Sequence, residues 1–301
     1  MAVALVTGSA FVDEVAAQSK QVRLNRAIEK LSQGQSILGI INRDFSVIRA
    51  RAVATSDIDF VIIDQEHQPL DFDTLRSFLF GMINKVEILK KGNVQANVTP
   101  IMRIPGYGRE SLHFMVKQAL DTGVLGVMFP AIDTKEQAIS AVRAARYPSN
   151  NKSGGQRGCC PDDATWLWGF TNDLDYARRA DTWPADPNGE ILLMMQIETA
   201  EGVKNINDII SVPGVGVIFV GPNDLSHSMG VAQGSPEHEA AIQTVLKACV
   251  ARNVPCAITT NASTVARRLK EGFRVATVGG GVALDAATEN ALKAGRAVLK
   301  P

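Results

Sequence analysis

Ile191-Leu192-Leu193-Met194-Met195-Gln196-Ile197-Glu198-Thr199 and, further along, Val217-Ile218-Phe219-Val220-Gly221-Pro222-Asn223-Asp224 are the stretches whose reading decides the fold. Each is apolar at nearly every position and then ends in carboxylate and amide side chains. A run apolar throughout is a strand covered on both faces, as in a parallel sheet, whereas a half-exposed strand would alternate. A helix-like segment, residues 199–211, lies between them. The pair therefore reads as a βαβ unit with its polar groups at the carboxyl ends of the strands.

The same reading extends in both directions. Runs of this kind fall at residues 36–41, 60–64, 99–104, 124–129, 191–198, 215–220, 254–259 and 274–278. Helix-like segments at 71–84, 109–122, 134–145, 236–253 and 264–271 alternate with them. Eight strands predict an α/β fold closed as a (β/α)8 TIM barrel rather than an open doubly wound sheet. The Gly-x-Gly-x-x-Gly turn of a dinucleotide fold is also missing after the first strand, where Gly39-Ile40-Ile41 stands. The expected organisation is an N-terminal extension, residues 1–35, with a helix over 20–32 against the barrel bottom, followed by a single barrel over 36–301. An insertion at 147–189 carries Trp166, Trp168, Phe170, Tyr176 and Trp183, which include all three tryptophans of the chain. That much aromatic surface fits a lid or a subunit contact better than a floppy linker.

The 301 residues carry 31 Lys+Arg and 31 Asp+Glu, a formal net charge of zero, with 46% hydrophobic and 21% charged residues. Nucleic acid and anionic membranes select a basic surplus and are not expected partners. Disorder needs fewer apolar residues. No stretch approaches the roughly 18 apolar residues of a membrane helix, and the apolar run at 2–12 lacks the basic start of a signal peptide. Cys159 and Cys160 are adjacent, a poor geometry for a mutual bridge, and with Cys249 and Cys256 they form no Cys-x-x-Cys spacing. A cytoplasmic enzyme or small-molecule binder in a reducing compartment is expected.

Four strand ends supply groups that a core does not tolerate: Asp64-Gln65-Glu66-His67, Arg103, Gln196-Ile197-Glu198-Thr199 and Gly221-Pro222-Asn223-Asp224. Singly, each has a plain structural reading. A strand-end carboxylate caps a helix or pairs with a base, His67 sits in a satisfied network, and Arg103 makes an ion pair. Converging on one rim, they must pair with one another or with a metal, because unpaired buried charge is costly. Glu198 and Asp224 are one α/β unit apart, on neighbouring strands. Two carboxylates there, with amide oxygens and water, suit a hard octahedral cation such as Mg2+ or Mn2+. His67 is a candidate base. Arg103 is a candidate anchor for a carboxylate or a developing enolate charge. His227 follows the Asp224 loop and is a candidate for the layer behind it; His113 lies in a helical segment, and His238 is expected to open an exposed helix and to be inert.

These segments, together with Arg103-Ile104-Pro105, Arg146-Tyr147-Pro148 and Gly155-Gln156-Arg157-Gly158, stand in the order found in the HpcH/HpaI family of class II pyruvate aldolases, which the chain resembles from about Ser36 to its end. The glutamate and Gly-Pro-x-Asp-Leu-Ser pieces are shared with citrate-lyase β-subunit-like proteins, while Asp-x-Glu-His and Gly-x-Arg-Gly favour the aldolases. The resemblance implies a phosphoenolpyruvate/pyruvate-type barrel and a divalent-metal-dependent lyase that cleaves or forms 4-hydroxy-2-oxo acids through a pyruvate enolate. It implies Glu198 and Asp224 as ligands of Mg2+, Mn2+ or Co2+, and Gln196, Asn223, Asp224 and Arg103 as binders of the pyruvate end. It implies His67 as the base and Asp121, in Lys117-Gln118-Ala119-Leu120-Asp121, as the acid that supports it. The implied partners are a small 2-oxo acid and an aldehyde, and the implied assembly is a homo-oligomer, a hexamer or trimer of dimers, with the last helix exchanged.

Three alternatives stand beside the aldolase: an oxaloacetate decarboxylase or macrophomate-synthase-like enzyme, a citrate-lyase-β-like enzyme, and a barrel that binds metal without turnover. The family's frequent Trp near the end of strand one is absent, since Gly39-Ile40-Ile41-Asn42-Arg43 stands there, and the 147–189 segment is longer than in typical members. Both departures bear on the aldehyde half of the substrate. No strand end offers a Schiff-base lysine, as Lys117, Lys135 and Lys204 fall in helical segments. Gly279-Gly280-Gly281 reads as a tight turn, with an anion-binding rim as the other reading.

Overall fold

A computed structural model describes residues 22–106, 110, 113–150, 154–281 and 284–299 of the chain. Eight parallel strands form the ring expected: β1 (Ile37–Asn42), β2 (Phe60–Asp64), β3 (Thr99–Arg103), β4 (Gly126–Phe129), then, past the short β5 (Thr182–Trp183), β6 (Ile191–Ile197), β7 (Val217–Val220), β8 (Cys256–Thr259) and β9 (Val275–Gly281). β9 returns to β1, and β4 pairs directly with β6, Gly126 opposite Leu192. β5 pairs only with the start of β6, so it stands outside the ring.

The strands read as continuously apolar because alternate residues feed two cores. Phe60 and Ile62 point into the barrel with Ile101, Met194 and Phe219, whereas Val61 and Ile63 pack outward against the helices. The interior is closed from below by α1 (Arg26–Ser32), whose Ala27, Ile28 and Leu31 join the inner cluster. This helix is shorter than the 20–32 expected; residues 20 and 21 lie outside the described residues. Its start is fixed by Asn25, whose side chain accepts the Ile28 N–H. Upstream, the fully buried Glu190 carboxylate accepts the N–H groups of Leu24 at 3.0 Å and Asn25 at 2.9 Å and pairs with Arg179.

The outer helices follow their caps. α2 (Val47–Ala54), not foreseen, starts at Ser46, whose hydroxyl accepts the Arg49 N–H. The segment expected at 71–84 holds one helix, α3 (Phe72–Gly81); α4 (Lys85–Lys91), not foreseen, follows it and is capped by Asn84 through the Glu87 N–H. α5 (His113–Asp121) and α6 (Lys135–Ala145) follow β3 and β4, the latter opened by a capping box between Thr134 and Gln137. The 147–189 segment contributes α7 (Asp162–Leu167) and α8 (Asp173–Arg179). It packs on the flank of α5: Trp168 Nε1 donates to the Gly123 carbonyl at 2.9 Å, and the rings of Trp168 and Tyr176 lie 4.8 Å apart. None of its described residues lines the cavity at the barrel mouth, so it is not a lid over that cavity.

After β6 come α9 (Ala200–Lys204) and α10 (Ile206–Ile209), two short helices where one was expected. α11 (Pro222–Met229), α12 (Pro236–Ala251), α13 (Val265–Glu271) and α14 (Ala286–Leu299) complete the ring. One expectation is corrected here. Gly279-Gly280-Gly281 is not a turn but the end of β9, with Gly280 opposite Ile41 and Gly281 opposite Asn42. Glycine is needed at 279 because a Cβ would lie 2.5 Å from Thr288 Oγ1 of α14. In this single chain α14 lies against its own barrel: Arg296 Nη1 reaches Asp59 Oδ2 at 2.9 Å, and Gly295 lies against Leu38.

The underside therefore leans on buried carboxylates: Glu190 holds the start of α1, and Asp59 pairs with Lys30 of α1 and accepts the Leu38 N–H. Glu190→Ala would leave Arg179 and two backbone N–H groups without their acceptor, and should cost about 3–5 kcal/mol of stability in urea unfolding. An unchanged unfolding midpoint would show that α1 is held without Glu190.

Candidate active site

A cavity of about 750 Å³ opens at the carboxyl ends of the strands and is lined by Arg43, His67, Arg103, Gln196, Asn223 and Asp224, among others. Its first half is set by strand register. Asp64 ends β2 directly opposite Arg103, which ends β3. The guanidinium grips the carboxylate with two prongs, Nε to Oδ1 at 2.9 Å and Nη2 to Oδ2 at 2.6 Å. Arg43, just past β1, adds Nε to Oδ2 at 2.9 Å. Burial raises the Asp64 pKa, but the hydrogen bonds and charge of Arg103, with help from Arg43 and His67, outweigh it and hold the group at about 2.

Arg103 reaches further. Its Nη1 lies 3.2 Å from Glu66 Oε2 and 3.5 Å from Gln196 Oε1, and its Nη2 lies 2.9 Å from His67 Nδ1. His67 Nδ1 is also 3.2 Å from Asp64 Oδ2, while the side chain stays 46% exposed to the cavity. Two tautomers compete there. Donation from the guanidinium to Nδ1 leaves the ring proton on Nε2, and donation from Nδ1 to Asp64 leaves Nε2 as the basic atom.

The second half is built by Glu198 and the start of α11. Glu198, 7% exposed, follows β6. Its Oε1 accepts the Ala131 N–H at 2.9 Å and its Oε2 accepts the Gln196 amide. Ala131 has φ 54°, a left-handed conformation uncommon outside glycine, beside this buried acceptor. Gly221 precedes α11, and a Cβ there would lie 2.8 Å from Glu198 Oε2 and 2.9 Å from Gln196 Nε2. Pro222, Asn223 and Asp224 are thus the first turn of a helix rather than the end of a strand. That turn is braced by His238, which is buried rather than exposed and inert as expected. Its Nδ1 accepts the Gly234 N–H at 3.0 Å, so its Nε2–H donates to the Pro222 carbonyl at 2.8 Å. His227 is exposed on the last turn of α11.

The two halves differ in charge balance. Asp64, Glu66 and His67 have ligand atoms within 4.8 Å of one another, but two guanidinium groups already neutralise Asp64. Among the described residues Glu198 has no such partner. Burial, then the charges of Glu66 and Asp224, raise its pKa from 4.5 to about 7. Burial also raises the pKa of Glu66, against the opposing charges of Arg103 and His67. A divalent cation held by Glu198 and Asp224, with Gln196 at hand, fits the place where negative charge is in excess.

The structure brings His67, Arg103, Gln196, Glu198, Asn223 and Asp224 to one mouth. Asp121 is not brought to His67 within the chain. It ends α5, at the opposite end of the barrel layer, where it accepts from Arg157 Nη2 at 2.9 Å and pairs with Lys117. The carboxylate beside His67 is Asp64, three residues before it. Sequence reasoning also missed Arg43, which the same strand-end criterion applied to β1 would have found, and the Ala131 N–H, for which the sequence carries no signal.

The HpcH/HpaI aldolase/citrate lyase family model matches residues 45–285. The chain is 29% identical over 255 residues to 5-keto-4-deoxy-D-glucarate aldolase of Escherichia fergusonii, covering 84% of this chain and 89% of that one. It is 32% identical to hydroxypyruvate/pyruvate aldolase of Paraburkholderia phytofirmans over 60% of this chain, and it spans only 61% of that relative's length. Among solved structures, an HpcH/HpaI aldolase/citrate lyase family protein of Burkholderia cenocepacia has a TM-score of 0.72 at 28% identity, covering 85% of this chain and 93% of that one.

The raised Glu198 pKa has a thermodynamic sign. A carboxyl that titrates at 4.5 unfolded and about 7 folded binds more protons when native between those values, so stability is lost as pH rises from about 4.5 through 7. Metal-free protein should therefore lose up to about 3 kcal/mol across that window relative to Glu198→Gln. Mg2+ or Mn2+ should restore it at the upper end. Parallel stability–pH curves for the two proteins would rule this out.

Proposed function

The chain belongs to the HpcH/HpaI aldolase/citrate lyase family, and from that premise we propose that it is a divalent-metal-dependent class II aldolase, a carbon–carbon lyase acting on 4-hydroxy-2-oxo acids to give pyruvate and an aldehyde. The observation that carries this reading is the split mouth. A cation-deficient carboxylate pair, Glu198 and Asp224, faces a guanidinium, Arg103, and a base, His67, across one cavity. Glu198 and Asp224 would hold the cation, Mg2+ or Mn2+, which when bound acts as a Lewis acid on the 2-oxo group.

The remaining work falls to the chain's own side chains. Gln196, Asn223 and Arg103 bind and orient the carboxylate and keto end of the substrate. Arg103, fixed by Asp64 and Glu66, needs no reorganisation to face negative charge developing on an oxygen beside it. In cleavage, His67 Nε2 takes the proton of the 4-hydroxyl while Nδ1–H is held by Asp64. The C3–C4 bond then breaks, the aldehyde leaves, and the same proton is available to return to C3 of the enolate as pyruvate forms. No lysine lines the cavity among the described residues, so a Schiff base has no donor there. Towards the aldehyde end the wall is polar, with Thr259, Thr260 and Asn261, which suits an oxygenated aldehyde. Among the described residues no helix is long and apolar enough to cross a membrane, and a cytoplasmic homo-oligomer completes the reading.

Pyruvate release from a panel of 4-hydroxy-2-oxo acids, followed by a coupled assay, tests the proposal. EDTA should abolish the activity and Mn2+ should restore it. Turnover that survives chelation would remove the metal from the mechanism, and CO2 release from oxaloacetate without any aldol cleavage would replace aldolase with decarboxylase. His67→Ala should lower kcat by about 10²–10⁴. Arg103→Lys should also fall steeply, because a single ammonium cannot span Asp64, Glu66 and the substrate together.

A further inference from the structure

Away from the mouth, on the flank formed by the 147–189 segment, three potential metal ligands meet. The sulfurs of Cys159 and Cys160 lie 3.0 Å apart, and with a carboxylate oxygen of Asp173 they form a group whose ligand atoms are all within 4.8 Å of one another. All three residues are exposed. Adjacent side chains in extended backbone point to opposite sides. Here Cys160 adopts φ 70°, and this left-handed bend brings the two thiols together.

The loop is fixed on both sides. The Arg157 N–H donates to the Arg146 carbonyl at 2.9 Å, and its buried guanidinium lies 4.5 Å from the centre of the Tyr147 ring. Pro161 is buried, and its carbonyl accepts from Thr165 Oγ1 at 3.0 Å. The same Thr165 hydroxyl lies 3.1 Å from Asp173 Oδ1, so one residue links the cysteine loop to the start of α8.

A disulfide does not suit this geometry. Neighbouring Cα atoms are about 3.8 Å apart, below the roughly 4.4–6.8 Å that a bridge normally spans. The pair is therefore available as two thiols. Thiolates select thiophilic d10 cations over Mg2+ or Mn2+, and ligands at about 2.0–2.3 Å from a tetrahedral Zn2+ stand roughly 3.3–3.8 Å apart. The observed sulfur pair and the nearby carboxylate oxygen lie close to that range. We propose that Cys159, Cys160 and Asp173 form a second cation site, for Zn2+ or a chemically similar thiophilic ion, with three protein ligands and the fourth position open to water. The site would tie the 159–160 loop to α8 and brace the segment against α5.

Cd2+ is the probe, because a thiolate bound to it gives a charge-transfer absorbance that an all-oxygen site does not. Chelator-treated full-length protein should take up one Cd2+ per chain with that band, and Zn2+ should displace it. Cys159→Ser and Cys160→Ser should each weaken binding at least about tenfold, and Asp173→Asn should weaken it while keeping the band. Cys160→Gly, which accepts the positive φ without strain, guards against misfolding as the cause. Glu198→Gln should leave the band intact, and the cysteine variants should keep Mn2+-dependent pyruvate release. No band at stoichiometric Cd2+ would overturn the proposal. So would a band that persists in the Cys159→Ser/Cys160→Ser double variant, or unchanged affinity in Asp173→Asn.

Discussion

Parallel register sets Asp64 at the end of β2 beside Arg103 at the end of β3, and the two-pronged ion pair that results organises one whole side of the barrel mouth. With Asp64 neutralised, the spare donors of Arg103 are directed to Glu66, Gln196 and His67. A lone guanidinium at that depth would be expensive to desolvate. Here its partner is supplied by the neighbouring strand, so its cost is met by the sheet, and its other donors are taken by groups of the mouth itself. Arg43 reinforces the arrangement from β1. Three consecutive strands thus agree on one charge-balanced cluster.

The opposite side of the mouth is built on the contrary principle. Glu198 is surrounded by Glu66 and Asp224 and is held by amide donors, the Ala131 N–H and the Gln196 side chain, rather than by a cation. Amide dipoles orient a carboxylate without neutralising it. The mouth therefore has a satisfied positive wall and an unsatisfied negative one, and a substrate with a carboxylate and a keto oxygen fits between them when a cation is present. His238 holds the backbone at Pro222, so a histidine positions the start of the negative wall.

Much of the barrel was legible because its strands carry two cores: Phe60 and Ile62 inward, Val61 and Ile63 outward, a continuous run in the sequence. Helix starts were legible where a capping side chain preceded an amphipathic segment, as at Thr134, and one was missed at Asn84, whose short helix α4 buries no residue. The three glycines of β9 looked like a turn because glycine usually marks one, yet at Gly279 the requirement was close packing of Thr288. In the site, His67, Arg103, Glu198 and Asp224 stood out because charged groups at strand ends violate the burial pattern. Asp121 shows the limit of that reasoning. It matches a pattern by position, but within the chain its neighbours are Arg157 and Lys117.

The ring closes where β4 meets β6, with the whole 147–189 segment looped outside it. That segment adds surface on the flank of α5 while it stays tied to the barrel through the pairing of β5 with β6 and through Arg179 at Glu190. The seam is thus the place where such a molecule can acquire new surface, new contacts or new ligands while its reacting groups stay where they are.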